Sequence, residues 1–318
     1  MRLLIAKEAI LRDKYDIAWK LTGVASRRIG WIADCNGLDP VALLNLQFPQ
    51  MPAWKMSQNV HQWLATADPS VFFEASSLDR RTGQPAIDYI KAALESGAHA
   101  VSANKGPIVY AYRELHDLAQ AKGRKFLFES TVMDGTPIFS MFPYSLPAVE
   151  LRGFRGILNS TTNVVLTEME KGLSLDEAVK KAQEIGVAET NPADDLDGWD
   201  PAVKVAALAI VLMGVPITLD QVERIGIRAV RPEQVRAARA AGMRYKLICR
   251  AERTAGGVRA SVKPEQLPIT DPLAQLEGTT SALRFDMDVF GLSIIEHKAG
   301  VIATAYGMFA DFIRAVRS

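Results

Sequence analysis

The sequence predicts an α/β protein in two parts, a parallel sheet with crossover helices followed by an α+β part whose sheet is mainly antiparallel. Three observations carry this. Up to about residue 140, short apolar strands alternate with segments of helical periodicity, the pattern of parallel strands joined by crossover helices. Beyond about Phe142 the strand-like runs become consecutive, as in antiparallel sheets. The chain has 318 residues, 48% hydrophobic and 23% charged, which is enough apolar material for one large or two medium domains.

The elements follow in order. RLLIAKEAILRDKYDI has apolar residues at helical spacing and good helix formers throughout. WKLTGVAS reads as a strand, and a long polar, proline-containing stretch then runs to about Pro69. SVFFEASS, AHAVSANK and KFLFEST read as strands, separated by the helices AIDYIKAALESG, closed by Gly97, and YAYRELHDLAQAKG. All four strands are expected in one parallel sheet, whose carboxyl ends, where ligands bind, are Ser26–Arg28, Ala75–Ser77, Ala103–Lys105 and Glu129–Gly135. In the second part AVELRGFRGIL is a strand and TTNVVLTEMEKG a helix. SLDEAVKKAQEIG opens on a capping box, Ser174 with Glu177. DPAVKVAALAIVLMG is expected to start with Asp200 as N-cap and Pro201 as first helical residue. The strands YKLICRAE, VRASVKP, ALRFDMDVF and LSIIEHK follow, and ATAYGMFADFIRAVRS closes the chain as a helix.

Charge and composition exclude several classes. The net charge is +1 with no basic block, which argues against nucleic acid or an anionic membrane as partner. The longest apolar run, Val205–Val215, is too short to span a bilayer, and Arg2, Lys7 and Glu8 interrupt any signal-peptide core. Cys35 and Cys249 are far apart and outside any CxxC, which fits a reducing cytoplasm. His61, His99, His116 and His297 are scattered, unlike a zinc site.

Three stretches can carry chemistry. GVAETNPADDLDGWDPAVK (Gly186–Lys204) gathers five carboxylates and one lysine between two apolar helices. It is no calcium loop: aligned on Gly198, the first ligand position is Ala193 and the twelfth is Lys204, where glutamate is required. Its plain reading is a capping loop in which Asp194, Asp195 and Asp197 are solvated. Its functional reading is a carboxylate set, Glu189, Asp195 and Asp200, around a small cationic amino-alcohol or amino-aldehyde, with Lys204 one turn beyond Asp200. SANKGP places Lys105 at a strand end, as proton donor or carbonyl polariser, or as a surface turn lysine. NSTTN (Asn159–Asn163) opens a helix and suits simple capping or ligand contact equally. No GxGxxG is present between a first strand and helix.

Taken together, ANK, GTPI (Gly135–Ile138), GILNSTTN, the long acidic stretch and the Ala299–Ala305 segment resemble homoserine dehydrogenases, in order and in spacing, from about Leu3 onward. The resemblance is to the short form, without a regulatory ACT domain. It implies a Rossmann-type cofactor domain over 1–140, lacking its first strand and glycine loop, and a substrate-binding and dimerisation domain over 141–296. A helix over 297–318 would return to the cofactor domain. The implied activity interconverts L-homoserine and L-aspartate 4-semialdehyde with NAD or NADP, in threonine and methionine biosynthesis, in a cytoplasmic homodimer. Matched residue by residue, Lys105, Lys204 and Asp200 fall at catalytic positions, and Glu189, Asp195, Asp200, Lys204 and Thr161 in the substrate site. Ala75, Ser76, Ser77, Ala103, Lys105 and Gly300 fall at cofactor positions. Arg27, with Arg28, lies where a ribose 2′-phosphate of NADP would sit. Glu129, Val132, Asp134 and Thr136 match a monovalent cation site, for sodium or potassium, formed largely by backbone carbonyls. VMDG stands where a VGAG-like loop is more usual and puts the Asp134 carboxylate beside the nicotinamide. The alternative to an active dehydrogenase is a shortened paralogue that binds the amino acid and dimerises but turns over poorly.

Overall fold

The computed structural model describes residues 1–27, 29–45, 55–57 and 59–317. The chain divides into two compact units. The first comprises Met1–Pro107, Ala111–Phe128 and Ala305–Ser318, and the second Ile108–Tyr110 and Glu129–Thr304.

The first unit begins with α1 (Arg2–Ala6) and α2 (Glu8–Tyr15), which break at Lys7. Leu11 and Ile17 bury against Phe309 and Phe312 of the final helix. Next comes a three-stranded antiparallel sheet of β1 (Gly23–Ser26), β2 (Gly30–Ala33) and β3 (Lys55–Met56). This corrects the expectation that β1 belongs to the parallel sheet. Gly30, at φ +72°, turns the chain back on itself, so the edge of β1 pairs locally with β2. Trp63 lies against Gly23 and donates from Nε1 to the Ile32 carbonyl at 2.8 Å, and a side chain at residue 23 would collide with its ring. The polar stretch read as a long connection also holds α3 (Pro40–Leu44), capped by Asp39, and α4 (Val60–Ala67), capped by Asn59.

The parallel sheet has β4 (Val71–Glu74), β5 (His99–Ser102) and β6 (Phe126–Leu127), in that order. The crossovers are α5 (Ala86–Glu95) and α6 (Gly106–Ala121). In α5, Ala86, Ile87, Ile90, Ala93 and Leu94 form the buried face at helical spacing, and Gly97 follows its cap at φ +92°.

In the second unit, α7 (Met141–Ser145) precedes a six-stranded sheet of order β12-β11-β7-β9-β10-β8. Its strands are β7 (Leu151–Ile157), β8 (Val222–Arg224), β9 (Met243–Thr254), β10 (Gly257–Pro268), β11 (Ser281–Met287) and β12 (Gly291–Glu296). Every neighbouring pair is antiparallel except β10 with β8. Gly156 is required where β7 meets β11, because a Cβ there would lie 2.0 Å from the Ala282 carbonyl oxygen. The helices are α8 (Ser160–Glu170), α9 (Leu175–Glu184), α10 (Ala193–Leu196), α11 (Trp199–Leu212) and α12 (Pro232–Ala240). Of these, α8, α11 and α12 pack on β9. Helix α11 is buried along most of its length, as the Val205–Val215 run implies. Among the described residues no helix is long and apolar enough to cross a membrane. The last helix is α13 (Val301–Val316).

Candidate active site

The acidic stretch folds into a charged cluster around one amide. β7 runs out at Ile157, and Asn159 caps α8 with its side-chain oxygen, which accepts from the Thr162 amide at 2.9 Å. That leaves the Asn159 Nδ2 hydrogens, which reach Asp195 Oδ1 at 2.7 Å and Asp200 Oδ2 at 3.0 Å. Lys204, one turn beyond Asp200 on α11, places Nζ 2.8 Å from the same Asp200 oxygen and donates to the Leu158 carbonyl at 2.7 Å. Asp200 is inside the helix, which starts at Trp199 with Gly198 as N-cap at φ +79°. The expected Asp200 cap is therefore corrected: the left-handed glycine makes the turn, and the carboxylate pairs with Lys204 and Asn159. Asp197 is partly exposed but not free: Arg228 Nε reaches its carboxylate at 2.5 Å.

The electrostatics follow from this crowding. Burial would lower the Lys204 pKa, but Asp200 above all, with Asp195 and Asp134, outweighs it and raises the value, so the ammonium is kept. Asp195 is pushed up, first by burial and then by Asp200, against hydrogen bonds from Asn159 and Thr161. Two residues outside the acidic stretch join the group. Glu296, at the end of β12, is raised to about 7 by burial and by Asp134, with Thr136 and Lys204 acting the other way. Asp134 accepts from the Gly300 amide and from Thr304 Oγ1 (3.0 Å), and both it and Met133 have left-handed φ values of 49° and 54°. VMDG thus pins the loop after the 3₁₀ turn Glu129–Thr131 to the start of α13.

Other expected residues stand apart from the cluster. Glu189 is exposed, with its backbone carbonyl bonded by Gln183 Nε2 at 3.1 Å, and its carboxylate is not drawn into the Asn159 network. Glu129 is buried, and its carboxylate accepts from the Phe139 and Ser140 amides at 2.6 and 3.0 Å. The Asp134 carboxylate is likewise engaged, by Gly300 and Thr304. Among the described residues no group of three or more His, Cys, Asp or Glu could hold a metal ion.

In the first unit the ends of β4 and β5 are braced by Asn104. Its Nδ2 donates to the Ser76 carbonyl at 3.2 Å, and its Oδ1 accepts from the Gly106 amide at 2.9 Å. Ser76, Ser77 and Ala75 are exposed, while Ala103 and Lys105 are half-buried, Lys105 standing as N-cap of α6. Arg27 follows β1, which pairs antiparallel with β2 in a sheet separate from the parallel one. Arg28 lies outside the described residues. The roles of Asn104 and Glu296 were not anticipated. That of Asn104 could have been read from ANK, since an asparagine between strand and helix is well placed to brace both.

One unit carries a parallel sheet with exposed strand ends and the other a half-buried lysine–carboxylate pair, features compatible with an enzyme of the α/β oxidoreductase class. The homoserine dehydrogenase family model matches residues 137–313. The NAD(+)-dependent homoserine dehydrogenase of Pseudomonas canavaninivorans is 34% identical over 306 residues, covering 94% of this chain and 87% of the relative. The homoserine dehydrogenase of Methanocaldococcus jannaschii is 35% identical over all of this chain and 94% of its own. A solved structure from Archaeoglobus fulgidus, assigned as a homoserine dehydrogenase, superposes with a TM-score of 0.87 at 29% identity, covering 100% of this chain and 95% of that one. A hyperthermophilic archaeal homoserine dehydrogenase mutant in complex with NADPH superposes at 0.80, with 28% identity over 98% of this chain and 93% of that one. The chain belongs to the homoserine dehydrogenase family.

Proposed function

We propose that the Asn159–Asp195–Asp200–Lys204 cluster is the substrate site of a dehydrogenase acting on L-homoserine and L-aspartate 4-semialdehyde. The observation that carries this is the protonated Lys204 held on Asp200 beside a second half-buried carboxylate, Asp195. In the reducing direction Lys204 hands a proton to the carbonyl oxygen as a hydride reaches the carbonyl carbon. In the oxidising direction it takes the hydroxyl proton back. Asp195 faces the substrate's ammonium, and Thr161 holds that carboxylate in place. A nicotinamide dinucleotide, when bound, supplies or accepts the hydride. The strand ends at Ala75–Ser77 and Ala103–Lys105 fit it: they are open, and one buried carboxylate oxygen there, on Glu74, has no donor.

Either dinucleotide is compatible with this reading. One relative is named NAD(+)-dependent and one neighbour is complexed with NADPH. The family supports a cytoplasmic homodimer serving threonine and methionine synthesis, with neither nucleic acid nor membrane as partner. A sodium or potassium ion at residues 129–136 would have to rest on backbone carbonyls, and no step is assigned to it.

The test is turnover of homoserine with NAD and with NADP by the parent chain and by Lys204→Ala. A positioned proton donor is worth about 10²–10⁴-fold, so Lys204→Ala should lose at least about a hundredfold in kcat while staying folded. Parent-like turnover by the variant would remove Lys204 from the chemistry.

A further inference from the structure

We propose that Glu74 is a cofactor-binding residue, which accepts a hydrogen bond from a neutral donor on the nicotinamide–ribose half of the dinucleotide. The inference rests on the dehydrogenase reading above. Glu74 is the last residue of β4 and only 2% exposed. Its Oε1 accepts from the Ser76 amide at 2.8 Å, which turns the carboxylate forward onto the loop at the strand's carboxyl end, where ligands of parallel sheets sit. Its Oε2 is buried and has no donor.

A buried acceptor without a partner costs free energy that a fold ordinarily avoids, so it calls for an explanation. The two neighbouring polar side chains that are also buried, Asn104 and Ser102, are committed to one another and to the backbone. Asn104 Nδ2 is on the Ser76 carbonyl and Asn104 Oδ1 on the Gly106 amide. Ser102 Oγ accepts from the Asn104 amide at 3.0 Å and lies 3.2 Å from the Asn104 carbonyl. The strand ends therefore form a braced rim in which one acceptor is left over.

The chemistry of that acceptor selects its ligand. A carboxylate repels phosphate, which excludes the pyrophosphate and any 2′-phosphate. What a dinucleotide offers instead is ribose hydroxyls and amide N–H groups. The Ala103 amide donates to the Glu74 carbonyl at 2.9 Å, so the carboxylate shares its strand end with Ala103–Lys105, the segment matched to catalysis. The nicotinamide half is the part of the cofactor that must lie there.

The experiment is calorimetric or fluorescence titration of NADH, NADPH and reduced nicotinamide mononucleotide into the full chain, parent and Glu74→Gln. Glutamine keeps the acceptor for the Ser76 amide and replaces the orphan oxygen, so the thermal midpoint should hold or rise. A hydrogen bond to a charged group implies a Kd increase of about tenfold or more for all three probes. Glu74→Asp, which keeps the charge but withdraws it from the loop, should weaken binding as well and covers the case of a poorly folded glutamine variant. The 3-acetylpyridine dinucleotide lacks the carboxamide N–H. A penalty that persists with it assigns the donor to a ribose hydroxyl, and one that vanishes assigns it to the amide. Kd values within about twofold of parent in both variants would overturn the proposal and leave the dehydrogenase reading standing. A parent chain that bound none of the probes would overturn both.

Discussion

Two strand-to-helix junctions in this molecule use the same device for different ends. At the end of β5, Asn104 ties together neutral groups, a carbonyl at Ser76 and an amide at Gly106. At the end of β7, Asn159 ties together charges, Asp195 and Asp200, the second of which also holds Lys204. A neutral brace shapes a rim without adding field, which suits a ligand recognised through hydroxyls and amides. A brace across two carboxylates concentrates negative charge around one ammonium, which suits a small cationic substrate and a proton transfer. Position alone would not have distinguished the two asparagines; their partners do.

The sharpest way to break the charged side of this comparison is Asp195→Asn set against Glu189→Gln. Asp195 is half-buried and bonded within the cluster, so its loss should raise KM for homoserine about tenfold or more, the scale of a hydrogen bond to a charged group. Glu189 is exposed, and an exposed charge contributes little, so Glu189→Gln should change the same KM by less than about threefold. Equal, large effects would mean that the loop closes over the substrate and carries Glu189 with it.

A smaller effect is expected behind the site. Lys246 is fully buried on β9, bonded to Asn163 Oδ1 at 2.9 Å and to the Leu276 carbonyl, and burial lowers its pKa to about 8. The unfolded chain holds this proton to a higher pH than the folded one does. Stability contributed by this residue therefore rises with pH from about 8 towards the unfolded value. Thermal melts of parent and Lys246→Met between pH 8 and 10 should show that rise in the parent and a flatter curve in the variant. Parallel curves would mean that Lys246 titrates normally.

Much of the architecture was legible in the sequence. Periodicity located the parallel strands and their crossovers, and Ser174 with Glu177 formed the expected capping box. The failures were of two kinds. One was pairing: β1 looks like any short apolar strand, and only the Gly30 turn and the Trp63 contact commit it to a hairpin. The other was geometry inside a motif. The acidic stretch announced a cluster, but sequence could not say that Gly198 would cap α11, that Asp197 would serve Arg228, or that Glu189 would stand outside. Glu296 was hidden because β12 brings it to Asp134 through a sheet, with no local pattern to mark it.

The division of labour between the two asparagines is tested by a paired kinetic measurement on Asn159→Ala and Asn104→Ala, with KM determined separately for homoserine and for the dinucleotide. Asn159→Ala should raise KM for homoserine severalfold to about tenfold and lower kcat, with the dinucleotide KM little changed. Asn104→Ala should do the reverse, weakening the dinucleotide and sparing homoserine. Both variants raising both constants together would contradict it, since the charged and the neutral brace would then serve no separate ligands.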